Sequence, residues 1–213
     1  MKTLKYLAVV CFLSIFVACS SDDDNNNNDD GPAAMGTFTY NGKTYQLTTG
    51  VIENEGEGYG DYDSIEYLIS FTTSELGKDD EGDFYPTDDK FSIIDFSLFS
   101  ENGEKPKVGT YHFDSDNNVD FTFDYVTALI NVEVDWDEVD PGAIDLDDPN
   151  VSIEDLTSAK SGTIEIHESG ETYDIDFEFT MYNNKKIKGN YTGDLHMYDD
   201  EIDGRPTGRT LVK

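Results

Sequence analysis

What the sequence lacks narrows its possibilities first. It has two cysteines, Cys11 and Cys19, and Cys11 lies inside an N-terminal apolar run. A chain that loses that run has no second thiol with which to form a disulfide. Basic residues are scarce, with 14 Lys and Arg against 46 Asp and Glu and a formal charge of −32. Nucleic-acid phosphates are bound by clustered Lys and Arg, and no such cluster occurs, so nucleic acid is excluded as a partner. No apolar stretch reaches the roughly 20 residues that a membrane-crossing helix needs. The 18 glycines form neither a strand-to-helix phosphate loop nor a Gly-x-Ser-x-Gly elbow. The three histidines, His112, His167 and His196, fall in separate segments without zinc spacing, and each is expected on a solvated outer face.

What is present begins with an address. Lys2 and Lys5 precede an uncharged stretch from Tyr6 to Ala18 that ends in small residues, the pattern of a cleaved signal peptide over residues 1–18. Phe16-Val17-Ala18-Cys19 resembles the lipobox of bacterial lipoproteins, departing from it only at Phe16, where the family usually has Leu. The resemblance implies that Cys19 is lipidated and anchors the mature protein to a membrane. The next residues, Ser20-Ser21-Asp22-Asp23-Asp24, are similar to the surface-export signal of Bacteroidota lipoproteins. That likeness implies an outer-membrane, surface-exposed location. Physically, residues 19–35 have little to bury and repel themselves, so an acidic, disordered leash is expected.

From Gly36 to the end the composition turns aromatic and alternating, which predicts a single all-β domain over residues 36–213. In Thr37 to Leu47, Asn41-Gly42 is a preferred type I′ hairpin dipeptide. The two-residue turn sets Phe38 against Tyr45 and Gly36 against Leu47, which puts the apolar side chains on one face. A second hairpin is expected around Ser169-Gly170, with Ile166 opposite Tyr173, Ile164 opposite Ile175, and Glu168 and Glu165 facing Glu171 and Asp174. Further strands read as Ile65 to Thr73, Phe91 to Ser100, Val108 to Phe113, Val119 to Tyr125, Val126 to Trp136 and Ile187 to Tyr198. The apolar parity changes between Tyr125 and Val126, which predicts a bulge in one continuous strand.

Residues 137–161, with Pro141, Pro149 and many carboxylates, have no sustained period and read as a long acidic loop, with one turn of helix near Ile153 to Leu156. About nine or ten strands and no long helix predict an antiparallel β-sandwich or a calycin-like barrel. Tyr40 to Tyr45, Ser161 to Ile166 and Ile187 to Gly193 resemble segments of small uncharacterised lipoproteins of Bacteroidota. That likeness implies no activity.

Carboxylates are so abundant that a pair suited to glycoside hydrolysis carries no weight from sequence alone. Two clusters are candidates for an irregular calcium site: Asp114, Asp116, Asn118 and Asp120, which resembles the start of a calcium loop in its alternating oxygen ligands, and Asp145, Asp147 and Asp148. The first is no EF-hand, because Val119 replaces the turn glycine and Tyr125 stands where the bidentate Glu belongs. No cofactor is implied beyond calcium at these positions. Asp63-Ser64-Ile65 resembles the short Bacteroidota O-glycosylation signal, which flags Ser64. Two functions remain: a non-catalytic surface module binding a protein, glycan or ion, and a carboxylate-dependent hydrolase acting on glycans. A flat face exposing Trp136 or several tyrosines would favour the first, and two carboxylates converging in a cleft the second.

Overall fold

The computed structural model describes residues 35–57, 64–79, 82–101, 103–139 and 144–197. The signal segment 1–18, Cys19 and the leash through residue 34 lie outside them. Asn41 and Gly42 have φ of 50° and 78°, the two left-handed residues of a type I′ turn. They join β1 (Gly36–Tyr40) to β2 (Lys43–Leu47), with Phe38 opposite Tyr45 and Gly36 opposite Leu47, as the alternation predicts. Just before β1, the Met35 N–H donates to the Leu47 carbonyl and its own carbonyl accepts from Thr192 N–H.

The chain continues through β3 (Thr49–Glu57), β4 (Ile65–Thr72), β5 (Leu76–Lys78), β6 (Phe84–Pro86), β7 (Lys90–Ser100), β8 (Gly109–Phe113) and β9 (Thr122–Val134). Then come β10 (Val151–Ser169), β11 (Tyr173–Met181), β12 (Lys186–Gly193) and β13 (His196–Met197), the last strand among the described residues. Among the described residues there is no helix. Eleven strands form one sheet in the order β13-β3-β4-β7-β9-β8-β10-β11-β12-β1-β2, and β5 pairs with β6 alone. The all-β expectation holds, but the sheet is mixed, not wholly antiparallel. β13 runs parallel to β3, and β8 runs parallel to β9. The second arises because β10 pairs with β9 only through Ser158; β8 fills the wedge that opens beyond and supplies partners to β10 from Thr163 to Ile166.

The sheet curls into a half-barrel. Phe71 on β4 stacks on Tyr191 of β12 at 4.5 Å and on Phe177 of β11 at 5.7 Å, although these strands are far apart in sheet order. Phe96 on β7 likewise meets Phe179 on β11 at 6.2 Å. Inward side chains of ten strands make one aromatic-rich core. β7 is buried from Phe91 to Ser100 on both faces, which accounts for its nearly continuous apolar run. The predicted bulge is present in β9: Ser97 pairs with Tyr125 and Leu98 with Phe123, leaving Asp124 as the extra residue.

Two further expectations are corrected. The second hairpin pairs Ile166 with Ile175 and Ile164 with Phe177, two residues away from the expected register, because the turn spans Gly170 to Thr172 and His167 is bulged out. A shift of two keeps every side chain on its face, so Ile164, Ile166, Tyr173 and Ile175 are buried as expected. The carboxylates now opposed are Glu165 with Asp176 and Glu168 with Asp174. The acidic loop does not run to residue 161, and no helical turn forms near Ile153: residues from Val151 onward belong to β10. Its alternation is hidden in sequence because Asp155 and Thr157 take inward-side positions while Leu156 faces out. Asp155 is accommodated by Tyr40 Oη at 2.5 Å and Lys185 Nζ at 2.7 Å. What remains of the loop packs Val139, Ile144 and Leu146 onto Phe91, Ile93, Leu129 and Val132, forming a second apolar cluster on the outer face.

Candidate functional site

The calcium candidates lie in two turns where their carboxylates bond the local chain. Asp114 Oδ1 accepts from the backbone N–H of Asp116 at 3.0 Å and of Asn117 at 3.2 Å, and these bonds hold its carboxyl below the usual carboxylate pKa. Asp120 accepts from Ser64 Oγ at 2.8 Å. Asp145 accepts from Asp147 N–H and Asp148 from Asn150 N–H, at 2.9 and 2.8 Å. Asp116, Asp147 and Asn118 lie in the same turns, the first two exposed and Asn118 half-buried. These are the Asx-turn bonds that Asp makes in tight loops. Among the described residues no group of three or more His, Cys, Asp or Glu could hold a metal ion. Ser64, the glycosylation candidate, is buried with its hydroxyl on Asp120.

His112, His167 and His196 are exposed on β8, β10 and β13. His167 Nε2 lies 3.0 Å from Asp176 Oδ2, and this contact raises the imidazole pKa. Trp136 is no open platform. It is half-buried, stacked near Phe91 and edge-on to Tyr85, with Nε1 donating to the Asp88 carbonyl. Beside it, Asp89, Lys90, Glu133, Asp135, Asn150 and Ser152 line an open depression of about 470 Å³, spanned by a Lys90–Glu133 ion pair.

Sequence reasoning missed the outer face of the central strands. Inward Ile94, Phe96, Val126, Ala128 and Ala159 force their neighbours Asp95, Ser97, Thr127 and Ser158 outward. Strand register then aligns Ser70, Asp95, Thr127 and Ser158 in one row across β4, β7, β9 and β10. Tyr182 extends the row through its N–H bond to the Ser158 carbonyl. Thr127 Oγ1 and Ser158 Oγ are 3.3 Å apart. Along this face Tyr182 is 68% exposed, Leu156 53% and Tyr125 37%. Tyr125 bonds Thr127 and is close enough to Asp95 for the carboxylate to raise its pKa, although burial is the larger cause.

Under the adjoining end of this face lie carboxyls with altered proton affinity. Asp95 is 1% exposed, its Oδ1 has no hydrogen-bond partner, and burial pushes its pKa up to about 6 against a smaller opposing effect of the Ser70 hydroxyl. One row along, the Ser97 hydroxyl lies 2.8 Å from Glu66 Oε1 and 3.2 Å from Asp124 Oδ1, so those oxygens are no more than about 6 Å apart. Burial raises both carboxyl pKa values, and Asp124 adds to the rise at Glu66. Composition offered no signal for this grouping, because Glu66, Asp95 and Asp124 come from three strands paired only in the sheet. Comparison of the chain with protein-family models, with curated proteins and with solved structures finds no match.

Proposed function

We propose that this chain is a lipid-anchored cell-envelope protein of Bacteroidota type. In this reading it is held in the outer membrane through Cys19 and exposed at the surface, where its β-domain serves as a non-catalytic binding module. The single observation that carries the binding role is the outer face on which Tyr125, Leu156 and Tyr182 stand exposed around the Thr127 and Ser158 hydroxyls. The core does not need these side chains, and exposed aromatic groups beside hydroxyls are characteristic of contact surfaces. The rolled sheet around one interior core supports the calycin-like barrel as the finer description, over the sandwich.

The second reading, a carboxylate-dependent glycan hydrolase, draws on Glu66 and Asp124. Acid–base hydrolysis needs one carboxyl kept protonated and its partner ionised, hence environments that push the two pKa values apart. Here burial pushes both the same way. The binding role is therefore the better supported.

The test uses the soluble domain, residues 35–213, flowed over immobilised outer-membrane vesicles. The module reading expects saturable binding that Leu156→Ser with Tyr182→Ser abolishes, and no release of reducing ends from vesicle glycans. Binding indifferent to that double substitution overturns it. Sugar release that Glu66→Gln abolishes would favour the hydrolase. For the anchor, Cys19→Ala should abolish labelling by a lipid precursor and detergent-phase partition; unchanged partition refutes it.

A further inference from the structure

We infer that the outer face of β9 and β10, with Tyr182 at the end of β11, is a saccharide-binding surface that takes a neutral glycan chain laid across the strands. The inference rests on the module reading and adds the chemistry of the ligand.

Charge is the first argument. The chain carries 46 acidic residues, yet the outward Tyr125, Thr127, Leu156, Ser158 and Tyr182 include none, and Asp95 in the same row is only 1% exposed. The neighbouring outer face of β10 to β12 differs sharply, with Glu165, Asp174, Asp176, Glu178, Lys186 and Lys188. A net charge of −32 disfavours an anionic ligand by long-range repulsion. The Lys160 ammonium at the margin of the row donates to Asn184 Oδ1 at 2.5 Å.

Side-chain chemistry is the second. A sugar ring presents C–H groups on its faces and hydroxyls on its edge. Tyrosine supplies an apolar ring and a polar tip for such amphipathic contact at small cost in side-chain entropy. Tyr125 and Tyr182 flank Leu156 and the Thr127–Ser158 hydroxyl pair, which can donate to and accept from ring hydroxyls.

Geometry is the third. Tyr182 adjoins Ser158, Ser158 pairs with Thr127, and Tyr125 lies two residues along from Thr127. At about 4.8 Å between strands, the tyrosines are separated by roughly 10–12 Å, the span of two or three linked hexoses. Asp95, paired with Thr127 in the same row and 1% exposed, is too deeply buried to touch the ligand.

The experiment is native affinity electrophoresis of residues 35–213 in gels containing amylopectin, galactomannan, hydroxyethyl cellulose or mixed-linkage glucan, with polygalacturonate and alginate as anionic counterparts. At least one neutral polysaccharide should retard the domain and neither anionic one should. Tyr182→Ala and Tyr125→Ala should each weaken retardation about tenfold or more, the loss of one well-packed aromatic contact. Tyr182→Phe should retain it. The urea midpoint of each variant checks folding. Retardation by no neutral polysaccharide, stronger retardation by the anionic ones, or indifference to the alanine substitutions overturns the inference. If vesicle binding remains sensitive to Leu156→Ser with Tyr182→Ser while every polysaccharide fails, the saccharide inference falls alone and the module reading stands.

Discussion

Asp95→Asn isolates a cost that the fold carries at neutral pH. Asp95 sits mid-strand in β7, 1% exposed, with a hydroxyl contact from Ser70 and nothing on Oδ1. Its pKa rises from 3.8 to about 6. The folded state therefore keeps this proton after the unfolded chain has released it. Stability from this group is complete below about pH 4, falls as pH rises toward 6, and is flat above. Two pKa units correspond to about 3 kcal/mol, a large share of the 5–15 kcal/mol typical of a domain. Asparagine preserves shape and cannot ionise, though a buried amide with an unpaired end still costs roughly 1–3 kcal/mol. Near pH 4 the variant should thus match the wild type or be slightly weaker, and near pH 8 it should be the more stable of the two. The assay is urea unfolding of both proteins from pH 4 to 8. The other acidic residues are common to both, so the difference in unfolding free energy isolates Asp95 and should change by about 2–3 kcal/mol over that range. Parallel pH profiles would refute the reasoning, because they would mean that Asp95 titrates alike in both states.

Further outcomes follow from other contacts. Asp155→Ala removes the acceptor shared by Tyr40 Oη and Lys185 Nζ, and should lower stability by about 1–3 kcal/mol in urea unfolding, while Lys43→Ala at its exposed ion pair with Glu154 should change it by less than about 1. Gly189→Ala would place a Cβ 2.5 Å from the Phe177 ring and from the Thr37 carbonyl; it should cost about 1–3 kcal/mol by thermal unfolding, whereas Gly170→Ala, with open space around it, should be tolerated. Tyr173→Ala, in the core, should cost about 3–5 kcal/mol and Thr172→Ala much less, and equal urea midpoints would contradict the face assignment. The His167 ring, watched by NMR, should titrate above 6.5 and move back toward it in Asp176→Asn; any stabilisation from that contact is present in acid and lost as pH rises through the raised pKa.

Local chemistry determined a good deal of this protein before any tertiary contact. Asn41-Gly42 and the alternation around it specified β1 and β2 to the residue, since turn geometry and apolar pattern impose the same register. The parity change after Tyr125 located the β9 bulge, because one extra residue inverts every later side chain. The second hairpin showed its buried face but not its register, as a two-residue slip leaves faces unchanged. Long-range pairing decided the rest. β3 was illegible because Gly50, Glu53 and Gly56 interrupt its pattern. The start of β10 was hidden because Asp155 takes a position where an apolar residue is expected, and finds its partners on β1 and after β11. The candidate site was the least legible part. Leu156 is expected in a turn of helix, and nothing in the local pattern singles out Tyr182 or Asp95. Only the pairing of β7, β9 and β10, together with the bond from Tyr182 to Ser158, brings them onto one face, because a strand's own sequence fixes which residues share a side and the neighbouring strands fix what lies beside them.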